Sequence, residues 1–143
     1  MVRIRPLAPH EVEIYVPLRQ ALWPDANDPS EVMDQLARPE RFQILVAEEG
    51  SQFIGWVEVA LRDYAEGCQT SPVGYLEGWY VVPTHRQSGI GRKLVEAAED
   101  WARGKGCTEM ASDTKIHNTL SQIAHARLGY AEVERIVCFR KPL

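Results

Sequence analysis

The spacing of apolar positions predicts an ordered series of strands and helices. Val2–Arg5 alternates as a short strand. Ala8, Val12, Tyr15, Leu18 and Leu22 recur at helical spacing, which predicts a helix over 8–22 with Pro17 inside it. Asp28-Pro29-Ser30-Glu31 is a helix start: Asp28 caps, Pro29 takes the first position and Glu31 reaches back, and this second helix runs to about Arg38. Phe42–Ala47 and Phe53–Leu61 are apolar runs around the turn residues Glu48–Ser51, the pattern of a hairpin. After a polar loop over 62–72, Val73–Val82 reads as a strand that Pro83 ends. Ile90, Leu94, Ala97, Ala98 and Trp101 line one helix face, closed by Gly104 and Gly106. Cys107–Ser112 is a strand. Asn118 caps a helix carrying Leu120, Ile123, Ala124 and Leu128, with Gly129 as its stop. Ala131–Arg140 is expected as a last strand.

Strands and helices in this order describe a mixed α/β (α+β) fold, a central sheet flanked by helices, built as a single domain over residues 1–143. There are no repeats, linkers or low-complexity segments. The 45% apolar and 25% charged composition is that of a soluble globular protein. No apolar run reaches the ~18 residues a membrane span needs, and Met1–Pro6 lacks a signal-peptide core. Cys68, Cys107 and Cys138 are odd in number and widely spaced, so a disulfide framework and zinc-finger spacing are excluded, and no metal site is expected. Reduced thiols suit the cytoplasm. A net charge of −4 argues against nucleic acid as a partner.

The most informative stretch runs from Val81 to Leu94. A β-branched strand enters the turn His85-Arg86-Gln87-Ser88-Gly89-Ile90-Gly91, which opens an amphipathic helix. A helix start offers unpaired N–H groups and a positive dipole end, and glycines let the backbone approach an anion closely. With Arg86, Arg92 and Lys93 beside it, the turn suits a pyrophosphate. It is neither a G-x-x-x-x-G-K-[ST] loop nor a complete G-x-G-x-x-G dinucleotide turn. The alternative is an ordinary strand-to-helix connection.

Arg86-Gln87-Ser88-Gly89-Ile90-Gly91 resembles the [Q/R]-x-x-G-x-[G/A] acetyl-coenzyme A signature of the GCN5-related N-acetyltransferases, and the element order is similar to that fold. Further blocks resemble the aminoglycoside 6'-N-acetyltransferases within it: Leu22-Trp23-Pro24, Tyr75-Leu76-Glu77-Gly78, Glu109-Met110-Ala111-Ser112-Asp113-Thr114, Asn118, His125, Leu128-Gly129-Tyr130 and Glu132-Val133-Glu134-Arg135. The resemblance implies acetyl transfer from acetyl-CoA to the 6'-amino group of an aminoglycoside by direct attack, and so antibiotic resistance. Two alternatives on the same fold are an acetyltransferase for another small polyamine or a protein amine, and a non-catalytic coenzyme A sensor.

An ammonium has no lone pair, so the amine must lose a proton before it attacks. Glu77 stands in an apolar strand shortly before the glycine turn and is the candidate base, acting directly or through water; its plain alternative is a salt-bridged strand acid. Asp113 ends the next strand and is either a turn cap or, as the resemblance implies, a partner for a substrate ammonium, with base catalysis a lesser role. Trp23 reads as a core residue or, by resemblance, as a wall against a sugar ring. Tyr64 and Glu134 match two further substrate positions. Trp79, Tyr80 and Val81 are expected to offer backbone groups to the thioester and pantetheine arm, where a splayed strand would free an N–H for the carbonyl oxygen. Gln87, Ser88, Gly89, Ile90, Gly91 and Arg92 are expected to hold the pyrophosphate. Asn118 matches a coenzyme A contact and also reads as a helix cap. The resemblance further implies a homodimer in which the last strand pairs with or exchanges into a second subunit.

Charge is uneven along the chain. Residues 1–70 carry twelve acids against six arginines and no lysine, while residues 71–143 carry eight acids and ten bases. The expectation is an acidic pocket for a polycation, assembled from both parts, beside a positive turn for phosphates.

Overall fold

The computed structural model describes residues 1–143. Five strands form one mixed sheet in the order β1-β2-β3-β4-β5: β1 (Val2–Pro6), β2 (Phe42–Glu49), β3 (Gln52–Arg62), β4 (Val73–Val81) and β5 (Met110–Ser112). Neighbours are antiparallel except β4 and β5, which run parallel and are joined by a helix crossover. The helices are α1 (Val12–Gln20), α2 (Pro29–Leu36), α3 (Ile90–Gly104) and α4 (Thr119–Arg127). No helix is long and apolar enough to cross a membrane.

The central strands are covered on both faces, which is why their apolar runs are continuous. Leu45, Ala47, Val57, Val59 and Leu76 pack with Ile90, Leu94, Val95 and Ala98 of α3. On the opposite face Ile44, Val46 and Trp56 pack with Val12, Tyr15 and Val16 of α1 and Val32 of α2. Asp28 caps α2 by accepting the Ser30 N–H at 2.9 Å, as its sequence predicts.

Four expectations shift. The first helix is shorter than 8–22: Pro9–Glu11 forms a 3₁₀ turn, and Glu11 accepts the Ala8 N–H at 2.9 Å while pairing with Arg5. The strand expected at Cys107 begins at Met110, because the Cys107 N–H closes the end of α3 on the Ala102 carbonyl. Leu120 and Ile123 of α4 are exposed rather than packed. Finally, Ala131–Arg140 is not a strand in this chain. A strand needs a partner for its N–H and C=O groups, and this segment leaves Val133, Ile136, Val137 and Phe139 exposed.

Candidate functional site

A cleft of about 270 Å³ opens on the α1 face of the sheet, lined by Arg19, Trp23, Phe42, Glu58 and Glu77 among others. A β-bulge shapes it. Glu58 pairs with Gly78 and Val59 with Leu76, so Glu77 is the extra residue on β4. Alternation would send Gly78 to the α3 face, but the bulge puts both Glu77 and Gly78 toward the cleft. A Cβ on Gly78 would stand 2.5 Å from Trp23 Cζ2, so only glycine lets the indole lie on the strand there. Trp23 packs against Trp56, ring centroids 5.1 Å apart, with the Arg19 guanidinium 5.0 Å over its ring.

The floor of the cleft is a buried ionic cluster. Arg19 Nε donates to Glu58 Oε2 at 2.7 Å and Nη1 to Glu31 at 3.0 Å, and the Tyr15 hydroxyl donates to Glu58. Arg19 and Glu58 are 6% and 2% exposed. Burial works against the Arg19 charge, but the Glu58 hydrogen bond and charge outweigh it and raise its pKa. Burial, reinforced by Glu58, keeps the Tyr15 phenol well above its ordinary range. Every buried side-chain N and O atom in the chain has a hydrogen-bond partner.

A second cluster stands at the mouth. Arg62, the last residue of β3, forks onto Glu77: Nε to Oε2 at 3.1 Å and Nη2 to Oε1 at 2.7 Å. The same guanidinium lies 3.5 Å over the Tyr75 ring, and the Tyr75 hydroxyl donates to Asp113 at 2.7 Å. Burial, then the Asp113 bond, pushes the Tyr75 phenol above its ordinary range, so it remains a donor. Arg62 is likewise raised: burial opposes its charge and the Glu77 hydrogen bond outweighs it.

β5 pairs with β4 only from Gly74 to Leu76 and ends at Ser112, while β4 continues to Val81. The segment Glu77–Val81 therefore has no β5 partner on that side, and the backbone of Trp79, Tyr80 and Val81 borders a gap. α4 stands beside it. The Ser112 hydroxyl donates to the Leu76 carbonyl at 3.2 Å, His125 Nε2 lies 2.8 Å from Ser112 Oγ, and His125 meets Trp79 edge-on at 4.8 Å. Asn118 caps α4 by accepting the Ser121 N–H at 3.1 Å. Tyr130 hydrogen-bonds Glu99 at 2.7 Å, and burial followed by that bond keeps its phenol neutral.

The turn after β4 leads directly into α3. Gln87 (φ +61°) and Gly89 (φ +84°) are both left-handed, and Gly89 is the N-cap of α3. A left-handed residue is rare for glutamine, and such turns direct successive N–H groups toward one point. The Ser88 hydroxyl closes the turn on the His85 carbonyl. Arg86 donates to the Val81 carbonyl at 2.8 Å, and Arg92 reaches the Arg127 carbonyl of α4 at 2.8 Å. A Cβ on Gly91 would stand 3.8 Å from Trp79 Nε1 and Val81 Cγ2, in ordinary contact with β4, whereas one on Gly89 would meet nothing within 4 Å.

The fold thus joins Trp23 and Glu77 in one cleft, with Asp113 linked to them through Tyr75 and Arg62. Tyr64, 68% exposed, and Glu134 do not line the cleft; they stand on the 62–72 loop and the C-terminal segment, which meet where Val133 packs on Gly67. Sequence reasoning missed Arg62, Tyr75 and the Arg19–Glu58 pair. Glu58 carries the signal that singled out Glu77, an acid in an apolar strand. Arg62 and Tyr75 emerge only once the β3–β4 register is known.

The Acetyltransferase (GNAT) family description matches residues 10–130. An aminoglycoside N(6')-acetyltransferase type 1 from Klebsiella aerogenes is 44% identical over 147 residues, covering 98% of this chain and 96% of that protein. The structure of AAC(6')-Iy in complex with a bisubstrate analog, CoA-S-monomethyl-acetylneamine, superposes with a TM-score of 0.92 at 36% identity, covering 100% of this chain and 99% of the other. AAC(6')-Ih from Acinetobacter baumannii gives 0.92 at 38% identity, covering 100% and 99%. Sequence and fold agree over essentially the whole length, and the chain belongs to the acetyltransferase (GNAT) family.

Proposed function

We propose that this protein is an aminoglycoside 6'-N-acetyltransferase, moving an acetyl group from acetyl-CoA to the 6'-amine of the drug and so conferring resistance. The observation that carries the reading is the acid-and-tryptophan cleft of Trp23 and Glu77, which opens on the same strand that borders the β4–β5 gap. Likeness to aminoglycoside acetyltransferases over nearly the full chain supports it.

Acetyl-CoA supplies an activated acyl group on a thiol leaving group. The chain's part is binding, orientation and one proton. In this reading N–H groups from Gln87 to Arg92 hold the pyrophosphate, and Asn118 adds a contact from the α4 start. The unpaired edge at Trp79, Tyr80 and Val81 takes the pantetheine arm and offers an N–H to the thioester carbonyl oxygen. Glu77 binds the 6'-ammonium and accepts its proton, directly or through a water, and the neutral amine attacks the carbonyl carbon. Asp113 pairs with a second ammonium; Trp23 lies against a sugar ring; Tyr64 and Glu134 border the drug.

Incubation with acetyl-CoA and kanamycin or tobramycin, followed by thiol release, tests the activity; polyamines and peptides run beside them. No turnover with any 6'-amino drug refutes it. Glu77→Gln is expected to lower turnover and remove the acid limb of the pH–rate profile, and an unchanged profile would acquit Glu77. Asp113→Asn is expected to weaken drug binding and leave coenzyme A binding intact by calorimetry; equal loss of both contradicts the assignment.

We also infer a homodimer. Val133, Ile136, Val137 and Phe139 form an uncovered apolar segment, and a three-residue β5 is the edge of the sheet. A second copy's segment suits that edge. Light scattering of the full chain is expected to give twice the monomer mass, and a monomer at assay concentration overturns it. The free thiols of Cys68, Cys107 and Cys138 suit the cytoplasm.

A further inference from the structure

We propose that Arg62 is a built-in competitor for the amine subsite: its guanidinium holds Glu77 in the free protein and must be displaced by a substrate ammonium. The inference rests on the reading of Glu77 as the carboxylate that receives the reacting amine, and adds a specificity-setting residue to it.

Two Arg–Glu pairs lie on the same face of the sheet and differ in kind. Arg19–Glu58 is sealed, its side chains 7% and 3% exposed, and Arg19 is held by Glu31 as well. Removing either partner would strand a buried charge, so this pair is fixed. Arg62–Glu77 sits at the mouth, 42% and 29% exposed. Water can replace either partner there, so the pair can open without leaving a dry charge.

The surroundings of Arg62 are what an ammonium would seek. The fork engages both Glu77 oxygens, at 2.7 and 3.1 Å. The Tyr75 ring offers a face at 3.5 Å, and Asp113 stands behind it, held in place by the Tyr75 hydroxyl. A single guanidinium is thus surrounded by two carboxylates and an aromatic face. Glu77 cannot give the same lone pairs to Arg62 and to an incoming amine.

Competition of this kind multiplies the apparent dissociation constant of every amine by one common factor. It therefore sets a threshold rather than a ratio. A monoamine that engages Glu77 alone is pushed beyond working concentrations. A polycation reaching Glu77 and Asp113 together retains affinity, because its second contact is intramolecular. Arg62 in this way confines the site to polyamines.

The test compares the wild type with Arg62→Gln and Arg62→Lys, all checked for thermal melting. With tobramycin, Arg62→Gln is expected to lower KM by about three- to tenfold, the strength of a half-exposed bidentate pair, and Arg62→Lys to lower it less. Millimolar methylguanidinium, with ionic strength matched by NaCl, is expected to compete with tobramycin in Arg62→Gln and to do so much less in the wild type. A KM that rises or stays constant in Arg62→Gln, or a loss confined to kcat, overturns the proposal and makes Arg62 a positioning residue for Glu77. Should Arg62→Gln melt early, calorimetry of tobramycin with Arg62→Lys decides: tighter binding than wild type supports displacement, equal or weaker binding overturns it. A wild type that neither binds nor acetylates any 6'-amino drug removes the functional reading itself, a result distinct from every variant comparison.

Discussion

Gly78→Ala separates backbone preference from site geometry, because the two act with opposite sign. Alanine in place of a strand glycine normally stabilises a chain by about 0.4–1 kcal/mol through the unfolded state. Here the new Cβ would lie 2.5 Å from Trp23 Cζ2, 2.9 Å from Cη2 and 3.1 Å from Leu22 Cδ2. Carbon contacts relax at about 3.5–4.0 Å, so the indole must retreat by about 1–1.5 Å. That motion pulls it from Trp56, 5.1 Å away by centroid, and from the Arg19 guanidinium. Overpacking of this size costs about 1–3 kcal/mol. The clash therefore wins: the variant is expected to be about 1–2 kcal/mol less stable, with a melting midpoint about 3–6 °C lower. Because Trp23 lines the cleft, KM for the drug should rise about tenfold, equivalent to ~1.4 kcal/mol. Coenzyme A affinity by calorimetry should stay within twofold, since the turn at 87–92 is untouched. Trp23→Leu in the Gly78→Ala background should recover part of the midpoint, giving a favourable coupling in a double-mutant cycle. A midpoint at or above wild type together with an unchanged KM would refute the claim that Gly78 exists to admit Trp23.

Gly104→Ala is the control: nothing lies within 4 Å of its added Cβ in α3, so it should stabilise by about 0.4–1 kcal/mol by chemical denaturation, with unchanged kinetics. Gly89→Ala also meets no neighbour but sits at φ +84°; it should cost about 1–2 kcal/mol and weaken coenzyme A at least about tenfold by calorimetry, with drug binding retained. Glu11 is held at a pKa of about 2, below the usual 4.5, mainly by the hydrogen bonds from Arg5 and further by the Ala8 N–H. A depressed carboxylate stabilises the fold above its unfolded pKa, and the stabilisation disappears as pH falls from about 4.5 toward 2, at most about 3 kcal/mol. Glu11→Gln should thus unfold more readily at pH 7, and its stability should fall less steeply through that acid window. A parallel acid-unfolding curve would discount the pair.

The parts of this molecule legible in its sequence are those decided locally. The apolar run Ile44–Ala47, the Asp28-Pro29 helix start and the glycine turn that opens α3 each depend on neighbours a few residues away, and each formed where its pattern indicated. What stayed hidden depends on register. The bulge at Glu58/Val59 turns Glu77 and Gly78 to one side, and no count along β4 alone reveals that. The same register brings Arg62 across to Glu77, and the ion pairs revise the reading of charge. Five of the twelve acids in the first seventy residues are held by arginines rather than left as a free anionic surface: Glu11 and Glu48 by Arg5, Glu31 and Glu58 by Arg19, and Asp63 by Arg41. The C-terminal segment marks the opposite limit. Its alternating Val133, Arg135, Val137 and Phe139 have the period of a strand, yet strand formation is a property of a pair. In the homodimer proposed above, a second copy would supply the partner that this segment lacks within one chain.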